Sequence, residues 1–256
     1  MGRKTLIDWA DASWNPVTGC LHGCPYCYAR GISQRFGCKI MSDLKESTTG
    51  MIILEEPYVS ADGVKNPYPY EFLPTFHVYR LGIPKTWKQP KNIFVCSMAD
   101  LFGNWVKDEY IKQVFDACQE APQHRYLFLT KNPKRYIELA QKGMLINNDR
   151  FWYGYSATNN DDIWHFTHAD DCPCQNLFVS IEPILKPVNP GFCSHVPADW
   201  VIIGAETGNR KGKVVPDKDW IMEIAEECEL MDIPLFMKES LRGIMGKDFR
   251  QEFPWK

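Results

Sequence analysis

The chain has 256 residues, 45% of them hydrophobic and 24% charged, with a formal net charge of −3. That length supports one large domain with a substantial core, and the charge balance excludes a strong global pull toward nucleic acid. No apolar run approaches the roughly eighteen residues of a membrane span, and "MGRKTLIDWADASW" lacks the apolar stretch of a secretion signal. Leu6 stands where a myristoylation signal needs Ser or Thr. A cytoplasmic location is therefore expected, where the ten cysteines stay mostly reduced and serve as ligands, redox groups or small core residues.

In chain order, a first strand is expected near "ASWNPV" (12–17). It runs into "GCLHGCPYCYAR" (19–30), in which Cys20, Cys24 and Cys27 read C-x3-C-x2-C. A structural zinc site takes four ligands, usually from two paired hooks, and only one hook of the Cys24/Cys27 spacing is present. Three thiolates suit a [4Fe-4S] cluster that keeps one iron open to an exchangeable ligand. Gly19 and Gly23 permit a tight loop, after which "YARGISQRF" reads as a helix.

A strand near "FHVYR" (76–80) and one in "KNIFVCSMAD" (91–100) follow. The next helix places Ile111, Val114, Phe115 and Cys118 at i, i+3, i+4 and i+7. "RYLFLTKNP" (125–133) is a strand with Asn132 as cap and Pro133 as first residue of a helix over 133–142. "FWYGYSATN", "NLFVSIEP", "WVIIGAETG" and "PLFMKES" continue the strand series, with a helix over 217–231 built on Ile221, Ile224, Ala225 and Cys228. Near-continuous apolar strands alternating with helices predict an α/β fold with parallel strands. About eight strands predict a full or partial (β/α) barrel, in a single domain over 1–256 with the cysteine loop at 19–28.

In such a barrel the active groups sit at the C-terminal strand ends. Those ends carry Ser97 and Asp100, Thr130 and Lys131, Ser156 and Thr158, Glu182, Glu206 and Thr207, and Lys238 and Glu239. Polar residues also stand there because loops begin there, so the set locates a face and not a reaction. Glu206 opens "ETGNRKGK", whose Arg210, Lys211 and Lys213 suit a phosphate or carboxylate; the plain alternative is a strand-end ion pair of Glu206 with Lys238. His165, His168, Cys172, Cys174 and Cys193, with His195, supply enough ligand atoms for zinc or an auxiliary iron–sulfur cluster, although C-x-C is an unusual hook. Cys118 and Cys228 read as core residues. Cys96 does too, and its strand-end place also suits a hydrogen-atom donor to a substrate radical.

The cysteine loop resembles that of the radical S-adenosylmethionine superfamily, whose hallmark is C-x3-C-x2-C with an aromatic residue before the last cysteine, here Tyr26. The resemblance implies that Cys20, Cys24 and Cys27 hold a [4Fe-4S] cluster and that S-adenosylmethionine chelates the fourth iron. It implies further that a one-electron donor of flavodoxin or ferredoxin type drives cleavage to a 5′-deoxyadenosyl radical, which abstracts a substrate hydrogen. A Gly-Gly-Glu stretch common in that superfamily is missing, and "SMAD" (97–100) is the expected substitute, with Ser97 and Asp100 as acceptors for the cofactor's ammonium. Thr130 and Ser156 are then expected at carboxylate and ribose, Lys131 at the carboxylate, and Glu182, Glu206 and Lys238 at the substrate. The blocks "SWNPVTGCLHGCPYCYAR", "FVCSMADLFGNWV", "FLTKNPKRY", "FVSIEPIL", "WVIIGAETG" and "PLFMKES" also resemble a phage- and prokaryote-associated family of radical enzymes without a generally assigned reaction. The substrate classes left open are a small molecule, a nucleotide or a nucleic-acid base. A non-catalytic iron–sulfur or zinc sensor is the alternative from another class.

Overall fold

The computed structural model describes residues 5–37, 50–164 and 172–255. The chain divides into two compact units, Met1–Phe128 and Leu129–Lys256. The first unit carries strands β1 (Ala12–Trp14), β2 (Val17–Thr18), β3 (Ile52–Leu54), β4 (Thr75–His77) and β5 (Asn92–Val95). Its helices are α1 (Tyr28–Phe36), α2 (Ile83–Thr86) and α3 (Asp108–Gln119). Strand β6 (Arg125–Thr130) crosses the unit boundary. The second unit adds α4 (Lys134–Gln141), β7 (Phe151–Ala157), α5 (Asn160–Trp164), β8 (Leu177–Ile181), α6 (Phe192–His195), β9 (Trp200–Ile203), α7 (Lys218–Leu230), β10 (Leu235–Met237) and α8 (Arg242–Met245).

Seven strands form one sheet in the order β1-β5-β6-β7-β8-β9-β10, with parallel registers such as Trp14↔Val95, Val95↔Phe128 and Ile181↔Ile203. The strand and helix alternation thus builds the parallel α/β architecture that the apolar runs predict. β8 and β9 are buried along their whole length, the behaviour of strands covered on both faces.

One expected barrel strand belongs elsewhere. β4 pairs antiparallel with β2 and parallel with β3 in a separate three-stranded sheet. Both of its edges are thereby taken, and the buried His77 ring hydrogen-bonds Thr18 Oγ1 at 2.8 Å, which fixes it to the small sheet. The large sheet accordingly has seven strands, a partial rather than a full barrel.

Helix α3 buries Ile111, Val114, Phe115 and Cys118, the stripe its spacing predicts, and leaves the Lys112–Asp116 pair outside. α7 buries Ile221, Ile224, Ala225 and Cys228 in the same way. α4 starts one residue later than expected, at Lys134 with Pro133 as the capping position; the Asn132 N–H is spent on Thr130 Oγ1 at 2.9 Å.

Period-two alternation sorts the second unit's side chains into two faces. Val179, Ile181, Val201, Ile203, Leu235 and Met237 pack with α6 and α7 in one core. The intervening residues point the other way, and Trp200 there meets Phe178 at 5.7 Å and Phe236 at 6.1 Å between ring centroids. Toward the C-terminal strand ends the same face turns polar, with Ser156, Ser180, Glu182 and Lys238.

Candidate active site

In the first unit the cysteine loop sits where β1 and β2 lead into α1. Gly19 has φ +83°, and a Cβ there would stand 2.2 Å from the Leu73 carbonyl oxygen, so both conformation and close approach demand glycine. Its N–H donates to Met98 O at 2.9 Å, and the Cys20 N–H donates to Phe72 O at 3.3 Å. Cys27 caps α1, its Sγ accepting from the Arg30 N–H at 3.4 Å. Cys20 and Cys27 pack against one small apolar group of Ala29, Phe72 and Met98, while Cys24 and Tyr26 are half-buried in the loop. Burial pushes the Cys20 thiol up to about 12.

The turn after β5 is built around Cys96, a non-glycine residue at φ +61°. Asn15 holds this turn: its Oδ1 accepts from Met98 N–H at 2.9 Å and from Ser97 Oγ–H at 3.2 Å. The Ser97 carbonyl accepts from Tyr28 Oη–H at 2.6 Å, which joins the turn to α1. Asp100 is buried, with Oδ1 accepting from the Phe102 N–H at 3.0 Å and Oδ2 lying 2.7 Å from His22 Nε2. Cys96 is buried, which pushes its thiol up to about 12.

In the second unit Lys131 Nζ donates to Ser156 Oγ at 2.6 Å, so two residues singled out for the cofactor meet each other. Thr130 is buried and Thr158 is engaged by Asp162 Oδ2, at 2.7 Å from both its N and its Oγ1. The ion pairing differs from the Glu206–Lys238 alternative. Lys238 pairs with Glu182, and Glu206 is held by Arg210 through Nε at 2.5 Å and Nη2 at 2.7 Å. The reason lies in Gly204, placed between the two strand ends. A Cβ there would come 3.0 Å from Lys238 Cδ and 3.3 Å from Glu182 Cγ, so the missing side chain leaves the gap in which the pair closes. Glu206 lies two residues farther on, within reach of a guanidinium fork from its own loop, whose hydrogen bonds hold its carboxyl below the ordinary 4.5. Arg210 is thereby spent internally, and Lys213 Nζ donates to the Gly208 carbonyl at 3.4 Å.

His165 and His168 lie outside the described residues. Cys193, expected as a ligand beside them, is buried in the helix-covered core, where Cys228 hydrogen-bonds it and, with burial, pushes its thiol up. The free Cys172 and Cys174 thiols hydrogen-bond each other, which lowers the first and raises the second. Among the described residues no three His, Cys, Asp or Glu side chains converge on a single metal ion. Sequence reasoning passed over His22, Asn15 and Phe72. A histidine inside the cysteine spacer was the one visible signal; the roles of Asn15 and Phe72 depend on contacts with residues far along the chain.

The chain belongs to the family described as a protein of unknown function, DUF5131, whose family model matches residues 4–243. Among solved structures it is similar to a single-residue variant of spore photoproduct lyase, at 11% identity and a TM-score of 0.52, over 93% of this chain and 78% of that one. It is also similar to a spore photoproduct lyase variant with bound AdoMet and dinucleoside spore photoproduct, at 12% identity and a TM-score of 0.46, over 88% of this chain and 64% of that one. No curated protein matches. At such identities the likeness is one of fold, and it identifies the seven-stranded sheet as that lyase's partial barrel.

Proposed function

We propose that this chain is a radical S-adenosylmethionine enzyme acting on a nucleotide or a nucleic-acid base. The observation that carries the reading is the C-x3-C-x2-C loop itself, set at the C-terminal end of the first sheet strand, with Cys20 and Cys27 against one apolar wall and Gly19 irreplaceable at its root. The donor set fits the group by its chemistry: three free thiols stand within eight residues of one loop, although among the described residues no three ligand side chains are gathered about a single metal position. In this reading Cys20, Cys24 and Cys27 hold a [4Fe-4S] cluster whose open iron takes S-adenosylmethionine. When bound, that pair supplies one-electron reductive cleavage of the sulfonium, with the electron from an external donor protein.

The chain's own residues bind, orient and shield. Ser97 is turned toward Asn15, and Lys131 and Ser156 share a hydrogen bond that a cofactor carboxylate or hydroxyl can enter. Glu182 and Lys238 present one acceptor and one donor side by side over the gap at Gly204, an arrangement suited to the paired polar edge of a base. Burial keeps Cys96 a thiol at neutral pH, the form with a hydrogen atom to give. The nucleotide class rests on the fold shared with spore photoproduct lyase, and the net charge of −3 favours local recognition of a base over tight binding to backbone phosphates.

Anaerobic reconstitution tests the cofactor. Wild type is expected to take up about four irons per chain with the broad absorbance of a thiolate-held cluster, and Cys24→Ala to take up few or none. Stoichiometric zinc with no iron would overturn the reading.

A further inference from the structure

We propose that His22 and Asp100 form a brace that sets the cysteine loop before any cofactor binds, which makes both of them positioning residues for the thiols. The inference rests on the three-cysteine reading above. His22 is the middle residue of the spacer between Cys20 and Cys24. Its two neighbours hold nothing: Leu21 is 57% exposed, and Gly23, at φ +70°, has open space where a Cβ would be. The spacer's anchorage therefore falls to His22. Its Nε2 lies 2.7 Å from Asp100 Oδ2, a hydrogen-bond distance.

The receiving side is built for this contact. Asp100's side chain is only 8% exposed against 24% for that of His22, so the hydrogen bond is shielded from water on the carboxylate side. Its other oxygen is fixed by the Phe102 N–H at 3.0 Å, which leaves the carboxylate little freedom to turn away. The His22 ring meets Trp105 edge-on, with centroids 5.0 Å apart and planes at 75°. Trp105 is itself seated over Gly103, where a Cβ would come within 2.3 Å of the indole. Residues 100–105 thus make a socket for one histidine, beside the main-chain tie from Gly19 to Met98.

This assigns Asp100 a role different from that of acceptor for the cofactor's ammonium, and the two roles separate experimentally. In iron-free protein, alkylation of the half-buried Cys20 by iodoacetamide, resolved by mass spectrometry, reports opening of the loop. His22→Leu and Asp100→Ala are each expected to speed it roughly tenfold, the scale of a lost charge-assisted hydrogen bond. The double variant should be no faster than either single one, because one interaction is removed in each case. His22→Gln, which keeps an N–H donor of similar reach, should restore most of the protection, and a cooperative melt shows that each variant is folded. In reconstituted protein the same two single variants should release iron to a chelator about 10- to 100-fold faster than wild type. Unchanged Cys20 alkylation in His22→Leu overturns the brace, as does Asp100→Ala weakening S-adenosylmethionine binding while Cys20 stays protected. A wild type that takes up no iron overturns the cofactor reading instead, and the alkylation result still decides the brace.

Discussion

Gly19 is the residue on which the cysteine loop turns. Gly19→Ala forces a side chain into a left-handed backbone and against the Leu73 carbonyl, and the backbone conformation alone costs about 1–3 kcal/mol. Urea unfolding should therefore show a loss of at least that size, and a variant as stable as wild type would contradict the described loop. Glu206 provides a second test. Its carboxyl titrates below 4.5 in the folded chain because Arg210 bonds it, so the unfolded chain takes up the proton first as pH falls. The stability it contributes is present in full above pH 4.5 and is lost as pH drops through the lower folded value. Arg210→Gln should flatten that acid limb, as followed by thermal melts between about pH 3 and 6; an unchanged limb would remove the pair's role. The cysteine triplet could be read from spacing alone, as could the strand-end places of Glu182, Glu206 and Lys238. Which carboxylate meets which cation could not, because Gly204 and the Arg210 loop decide it through contacts that no local pattern records.

At the scale of elements, apolar runs and helical stripes located most of the large sheet and the helices α3 and α7, because strands covered on both faces and amphipathic helices write their periods directly into the chain. β4 was placed in the wrong sheet for a physical reason: a three-residue strand carries no mark of its partner, and pairing with β2 and β3 is settled by tertiary contacts such as Thr18 to His77. Strand packing is tight enough to test at Gly154 on β7, where a Cβ would lie 2.2 Å from the Phe178 ring on the neighbouring β8. Gly154→Ala should cost about 1–3 kcal/mol through overpacking. Gly143→Ala is a poor control because it sits at φ +65°; Gly31→Ala, on a helix with open space around it, should be neutral or slightly stabilising. Equal stabilities for Gly154→Ala and Gly31→Ala by chemical denaturation would argue against the described register.

At the scale of the molecule, two compact units carry the strands of one parallel sheet, and the polar residues gather at the strand ends of each. Among the described residues no helix is long and apolar enough to cross a membrane. The partial barrel supplies a face for chemistry and leaves the reaction to the side chains, so the three-cysteine loop, and not the fold, carries the functional claim. The most direct test is chromatography for 5′-deoxyadenosine after anaerobic incubation of the reconstituted chain with S-adenosylmethionine and dithionite, with Cys24→Ala alongside. The account predicts product from the wild type and none from the variant. A wild type that holds an iron–sulfur cluster and S-adenosylmethionine yet forms no 5′-deoxyadenosine, with or without added oligonucleotide, would contradict it and favour a sensor.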